Sequence, residues 1–355
     1  MKRLIILTDE GLQFLISIPD LKNYISMDVN KISSYFIDRD YDVVVQKFSS
    51  LDLTNDYKGV YIIYQTSESA GSFYKHYIED VICFLEQNGA IVLPGLEMLK
   101  AHHNKVFMEM IKSTFKDESL KSIKSWCYGS WVDARNYNSS FPAVIKQSSS
   151  SGSAGVFLAM NRKEYLIMIK KAGNVVVAQS IPGVLIYKLK ISIKKLIKLL
   201  SPAKRKFLEF YTAPLSTAII VQSFVKGLHG DYKVLIFGCR YYTLYRKNRK
   251  NDFRASGSGM FYDVPPEEHE GLLNFARKLT DEIDFPIFGM DIAFDGKDYH
   301  LLEFQVIHIG TPPLQRSKYW HEFHDGKWIK FDGISNLEEE FSRSIHEFIK
   351  TKYFD

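Results

Sequence analysis

Residues 286–307, PIFGMDIAFDGKDYHLLEFQVI, read as two β-strands around a polar turn, each carrying a carboxylate inside an apolar run. Alternation puts Phe288, Met290, Ile292 and Phe294 on one face of the first strand, and Leu302, Phe304 and Val306 on one face of the second. The opposite faces carry Asp291 and the pair Glu303 and Gln305. The apolar sets share a face if the connecting loop is odd-numbered, such as Gly296–Asp298, and that register sets Asp291 directly opposite Glu303. Opposed like charges destabilise a sheet, so the pattern makes most sense with a cation between them. Oxygen donors of this kind suit Mg²⁺ or Mn²⁺. An amphipathic hairpin with a merely wet polar face has the same alternation.

The chain has 355 residues, 46% hydrophobic and 25% charged, the profile of an ordered protein with a substantial core and two or three subdomains. Cys83, Cys127 and Cys239 are far apart and show no CxxC spacing, against both a disulfide framework and a cysteine zinc site. The start, MKRLIILTDE, is broken by Asp9 and Glu10 and reads as a first strand rather than a signal peptide. No run reaches the roughly 20 apolar residues that span a bilayer, so a cytoplasmic protein is expected. The formal charge of +5 is modest for this length, and phosphate ligands account for it without a nucleic-acid partner.

Residues 1–98 alternate short β-branched runs (RLIILTD, YDVVVQKF, GVYIIYQTS, GAIVLPG) with helix-compatible stretches, which predicts a small parallel α/β domain. A helix over 73–87 ends at Asn88–Gly89, where the glycine can cap it. From LEMLKAHHNKVFMEMIKSTF a helical period follows, with Leu96, Leu99, Val106, Phe107, Met110 and Ile111 on one side. Strands are expected at PAVIK, STAIIVQSFV, DYKVLIFG and RYYTLYRK, a helix at PPEEHEGLLNFARKLTDEID, and a closing helix at NLEEEFSRSIHEFIKTKY.

Two stretches suit phosphate. The serine-rich loop KQSSSSGSAGV, residues 146–156, lets backbone N–H groups and hydroxyls turn toward an anion, and Lys146 stands at its mouth. It is not a P-loop, because no GK[ST] follows. Arg254, in NRKNDFRASGSG, could neutralise charge developing in phosphoryl transfer.

In this order, HHNK, PAVIKQSSSSGSAGV, VQSFVKGLHGDYKVLIFG, NDFRASGSG and FGMDIAFDGKDYHLLEFQ resemble the ATP-grasp superfamily, most closely its ribosomal-protein glutamate ligase and glutathione synthetase branch, over about residues 75–310. The resemblance implies an α/β and α+β fold: an N-terminal parallel α/β domain (1–98), a central lobe (99–225) with a basic insertion at 185–206, and a C-terminal lobe (226–355), the two lobes clamping ATP. It implies Lys105 and Lys146 as phosphate-binding lysines. Ser149, Ser150, Ser151 and Gly152 would form the phosphate cover, and Gln222, Ser223, Phe224 and Val225 the adenine hinge. Asp231 would meet the ribose, with His229 as its competitor, and Lys233 would be the basic residue after that acid. Arg254 would act on the terminal phosphate, and Asp291, Glu303 and Gln305 would be the magnesium ligands. Gln305 stands where Asn is usual. QVIHIGT replaces the usual NxxPG continuation, so Gly310, Thr311 or His308 becomes a candidate for substrate placement, with a hydrogen-bonded structural role weighed ahead of that one for His308.

The implied activity is an ATP-dependent carboxylate–amine ligase working through an acyl phosphate. An ATP-grasp phosphotransferase without amide formation and a non-catalytic nucleotide-binding protein are the competing readings. Amino acids, peptides and acidic cell-envelope glycans are the substrate classes considered. The tract 185–206 interleaves lysines with Ile and Leu, as a solvated helix does, or one lying on an anionic membrane or an acidic polymer.

Overall fold

The computed structural model describes residues 2–14, 26–66, 72–149, 155–174, 181–201, 204, 216–250, 252–255 and 259–353. The chain forms two compact units, residues 1–124 with 225–355, and residues 125–224.

The first unit begins with β1 (Lys2–Thr8), α1 (Val29–Ile37), β2 (Tyr41–Lys47), β3 (Tyr61–Tyr64), α2 (Ser72–Gln87) and β4 (Ile91–Leu93). The strands form a parallel sheet in the order β2-β1-β3-β4. The apolar runs of the inner strands β1 and β3 are buried, as a parallel sheet requires, while the edge strand β2 leaves Val45 exposed. Asp28 caps α1 by accepting from the amides of Asn30 and Lys31. Gly89, at φ +78°, ends α2, its own amide and that of Ala90 closing on the carbonyls of Glu86 and Leu85.

The helical period over 96–115 does not form one helix. It breaks into α3 (Leu96–Ala101) and α4 (Lys105–Ser113), with His103 at φ +52° between them. Asn104 restarts the helix by accepting from Phe107 N at 3.2 Å. The break re-phases the second helix: Met108 and Ile111 turn inward and Met110 is exposed.

The second unit holds β5 (Ser125–Tyr128), β6 (Ala143–Gln147), β7 (Val156–Ala159), α5 (Arg162–Gly173), α6 (Ile181–Leu200) and β8 (Ile219–Ser223). Its antiparallel sheet has the order β5-β8-β6-β7. Tyr165, Ile169 and Ala172 of α5 pack on Ala143, Ile145, Ile219 and Val221.

The first unit resumes with β9 (Gly230–Phe237), β10 (Arg240–Lys247), β11 (Phe261–Tyr262), α7 (Pro266–Lys278), β12 (Ile287–Phe294) and β13 (Tyr299–Gln305). It closes with α8 (Pro312–Arg316), β14 (Tyr319–His324), β15 (Lys327–Asp332) and α9 (Leu337–Tyr353). An antiparallel sheet runs β13-β12-β9-β10-β14-β15, with β11 beside β10. The β14–β15 hairpin was not expected from the sequence pattern. One core cluster joins this sheet, α7 and α9 to Leu4, Ile6 and Ile63 of the parallel sheet. The chain is therefore an α/β sheet combined with antiparallel α+β sheets, the class expected.

The decisive hairpin reaches the expected pairing by a different route. Phe294 pairs with Tyr299, so the loop Asp295–Asp298 has four residues, an even number. A β-bulge then shifts the register between Asp291 and Ile292, and Asp291 pairs with Glu303. Leu302 is the extra residue. Leu301, not Leu302, pairs with Ile292 and is fully buried.

Leu301→Ala should therefore lower the free energy of unfolding by about 2–5 kcal/mol, and Leu302→Ala by about 1 kcal/mol or less. Urea unfolding of the two variants checks this. The reverse order would return Leu302 to the core face.

Candidate active site

The bulge aligns a row of charges across three strands. Glu303 on β13 pairs with Asp291 on β12, and Asp291 pairs with Lys233 on β9. Alternation adds Gln305, Asp231 and, through the β9–β10 register, Arg246 opposite Asp231 to the same face. That register is set by the two-residue turn Gly238–Cys239, with Gly238 at φ +62° as a hairpin turn of this length requires.

Arg246 is the centre of the cluster. Its Nε and Nη2 donate to the two carboxylate oxygens of Asp231 at 2.6 and 2.8 Å, and Nη2 lies 2.8 Å from Asp291 Oδ2. Lys233 Nζ lies 3.1 Å from Asp291 Oδ1, an ion-pair distance. The geometry there is not that of a hydrogen bond, so Oδ1 is a buried acceptor without one. Burial opposes charge on Asp291, but Arg246 and Lys233 outweigh it and hold the carboxyl well below the usual carboxylate range. Burial and the neighbouring Asp291 push Asp231 the other way, above that range, against the pull of Arg246. Burial disfavours charge on Arg246 too, yet Asp291 and Asp231 together raise its pKa.

At the outer end of the row, Glu303 Oε1 takes Lys105 Nζ at 2.6 Å and Gln305 Nε2 at 3.1 Å. Lys105 comes from the first turn of α4 and is placed by the restart at Asn104. The Gln305 amide presents its nitrogen to Glu303; turned over, it would present oxygen. Among the described residues no group of three His, Cys, Asp or Glu side chains is placed to hold a metal, so the expected set rests on two carboxylates and one amide.

The segment after β13 lies over this row. A Cβ at Gly289 would stand 2.9 Å from both Ile309 O and Leu235 Cδ2, so only glycine lets the backbone at 309 come this close. A Cβ at Gly310 would have Lys233 Cε at 3.8 Å, and Thr311 is fully buried. His308, at φ +52°, has Nε2 3.1 Å from Thr66 O at the end of β3, and its ring lies 5.0 Å from that of His102. It is hydrogen-bonded to the segment that follows β3, a contact that suits the structural role weighed for it.

Arg254 is chelated within its own loop by Asp252, with contacts of 2.7 to 3.1 Å. His229 is exposed. In the second unit, Lys146 sits on β6 paired with Val156 and Ile220. Ser149 is exposed, whereas Ser150, Ser151 and Gly152 lie outside the described residues. Gln222 is buried, with Nε2 donating to Ser125 Oγ at 3.0 Å, and Ser223 pairs with Ala143. The chain passes between the units at Phe224–Val225.

The first unit thus brings Asp231, Lys233, Asp291, Glu303, Gln305 and Lys105 together. Sequence reasoning missed Arg246 and Asp252. Arg246 had a signal, because the FGCR turn fixes a register that sets it opposite Asp231.

No protein-family model matches the sequence, and neither does any curated protein. In fold the chain is similar to the D-cycloserine synthetase DcsG, with 9% identity, 97% of this chain and 99% of that one covered, and a TM-score of 0.49. It is similar also to the D-alanine–D-alanine ligase of Bacillus anthracis complexed with ATP, with 11% identity, 99% and 96% covered, and a TM-score of 0.48. A third is a RimK domain ATP-grasp protein of Sphaerobacter thermophilus, with 9% identity, 85% and 90% covered, and a TM-score of 0.44. At these identities and TM-scores no residue role is transferred.

Arg246→Met should leave two buried carboxylates without their shared cation and cost about 3–5 kcal/mol at neutral pH. Acid narrows that gap. Over this range the depressed Asp291 stays ionised in the native protein and only Asp231, raised to about 6, gains a proton; in the variant both carboxyls bind protons more tightly than in the unfolded chain, so acid stabilises it more. Urea midpoints of both proteins from neutral pH down to about 5 check this, and a gap independent of pH contradicts it.

Proposed function

We propose that the chain is an ATP-dependent carboxylate–amine ligase. The observation that carries this reading is the charge row Glu303–Asp291–Lys233, with Lys105 and Arg246 bound to its carboxylates. Acidic and basic groups gathered on one face suit a polyphosphate and its cation: the carboxylates take the metal and the lysines take phosphate oxygens.

The donor chemistry fits a hard divalent cation. Asp291, Glu303 and, with its amide turned, Gln305 would supply oxygens, and Asp291 Oδ1 is a buried acceptor without a hydrogen bond. Bound Mg²⁺ or Mn²⁺ would neutralise phosphate charge. Lys105 then exchanges Glu303 for phosphate, and Lys146 and the serine-rich loop belong to the same proposal as phosphate contacts. The hinge 222–225 takes the adenine. Arg254 leaves Asp252 to meet the terminal phosphate. Asp231, with both oxygens on Arg246, acts by positioning that guanidinium, so the exposed His229 is the better ribose contact. The three-domain division at 98 and 225 belongs to the same proposal.

In the reaction a substrate carboxylate oxygen attacks the γ-phosphorus and the bond to the β–γ bridging oxygen breaks, releasing ADP. The amine nitrogen then attacks the acyl carbon, the carbon–oxygen bond to phosphate breaks, and the nitrogen loses a proton as the amide forms. The chain's own residues bind, orient and neutralise charge; no protein nucleophile takes part.

Release of ADP from ATP should require both a carboxylate and an amine, in a panel of amino acids, short peptides and uronic-acid glycans. Glu303→Gln, close in shape to the native residue, should lower the rate by about 10²-fold or more. ADP formed with a single substrate would identify a phosphotransferase instead. A Glu303→Gln rate equal to the native one would remove the charge row from the chemistry.

A further inference from the structure

The helix α6 presents its apolar stripe to solvent. At 100° per residue, Leu189, Ile193, Leu196 and Leu200 fall on one line along about 16 Å of helix. All four are exposed, between 48% and 74%. Leu199 and Ile197 beside them are exposed as well. By contrast, Leu337, Phe341, Ile345 and Ile349 of α9 form a similar stripe and are buried. Unpartnered stripes of this kind mark a surface that something else covers.

Charge selects the occupant. The twenty residues of α6 contain five lysines and no Asp or Glu. Five is also the formal net charge of the whole chain, so the rest of the chain is formally neutral and the positive excess is carried by this helix. Lys190 and Lys194 stand on one flank of the stripe and Lys195 on the other. A second copy of the helix would bring two sets of lysines together, so like charge opposes self-association. No described helix is long and apolar enough to cross a membrane. An apolar face flanked by lysines that does not cross is the pattern of a helix lying in the plane of an anionic bilayer surface, apolar side chains in the acyl boundary and ammonium groups at the headgroups.

We infer that α6 docks the protein on anionic phospholipid membranes through Leu189, Ile193, Leu196 and Leu200. The inference is independent of the ligase reading. The test is co-sedimentation of the full chain with vesicles of phosphatidylcholine alone and of phosphatidylcholine mixed with phosphatidylglycerol, at low and at physiological salt. Binding should occur to the mixed vesicles and weaken with salt. Ile193→Glu combined with Leu196→Glu, both at exposed positions, should reduce binding by about tenfold or more while circular dichroism stays native. Lys190→Gln with Lys195→Gln should abolish the preference for the anionic vesicles. Equal binding to pure phosphatidylcholine, no binding, or glutamate variants that bind like the native chain would overturn the inference. So would glutamate variants that convert a dimer into a monomer, since a second copy would then cover the stripe.

Discussion

A guanidinium with almost no access to water, that of Arg246, holds Asp231 and Asp291 together in the middle of an antiparallel sheet. Charges taken from water are costly, and only near-complete pairing offsets the loss of hydration. The pairing here is close to complete, with both oxygens of Asp231 on Arg246 and Asp291 between Arg246 and Lys233. It also depends on two registers at once: the Gly238–Cys239 turn and the β9–β12 pairing. A slip of one residue in either of them would turn one member of the cluster to the opposite face and leave its partner buried alone.

Glu303 sits at the edge of that network and differs in character. Its side chain is 20% exposed, and it is held by groups at the ends of flexible side chains, Lys105 Nζ and Gln305 Nε2. The inner carboxylates are fixed by the sheet, while the outer one can exchange partners without disturbing a register. An edge of this kind suits binding and release of a charged ligand better than a fully paired interior does. The break between α3 and α4 contributes here, because Asn104 starts a new helix whose first residue is Lys105.

Much of this was legible in the residues. Alternation alone set Asp291 opposite Glu303 with Gln305 beside them, since burying both apolar sets admits one register parity. What alternation could not supply was the means. A bulge and an even loop give the same parity as a straight hairpin with an odd loop, and the residue displaced, Leu302 or Leu301, is the same type in sequence. The helical period over 96–115 failed for a related reason: periodicity registers apolar spacing and is blind to a three-residue interruption with a positive φ at His103. The turn before Arg246 announces Asp231, but its second carboxylate, Asp291, lies two strands away on β12, a neighbour of β9 that no local signal announces.

The segment after β13 shows how the row is tied to the rest of its unit. Gly289 admits the backbone at Ile309 over the sheet, and His308 just before it takes a left-handed conformation that costs a non-glycine residue roughly 1–3 kcal/mol. Ile307 buries into the core of the parallel sheet, and His308 Nε2 lies 3.1 Å from Thr66 O at the end of β3. His103, the other left-handed histidine here, adjoins His102, whose ring faces that of His308 at 5.0 Å. One strained position, His308, thus belongs to this imidazole pair and lies beyond the strand that delivers Glu303, and the other, His103, adjoins it beside the helix that delivers Lys105. Strain that survives at and beside such a contact is held by the packing around it, so a group that changed the Lys105–Glu303 distance would work against the same pair.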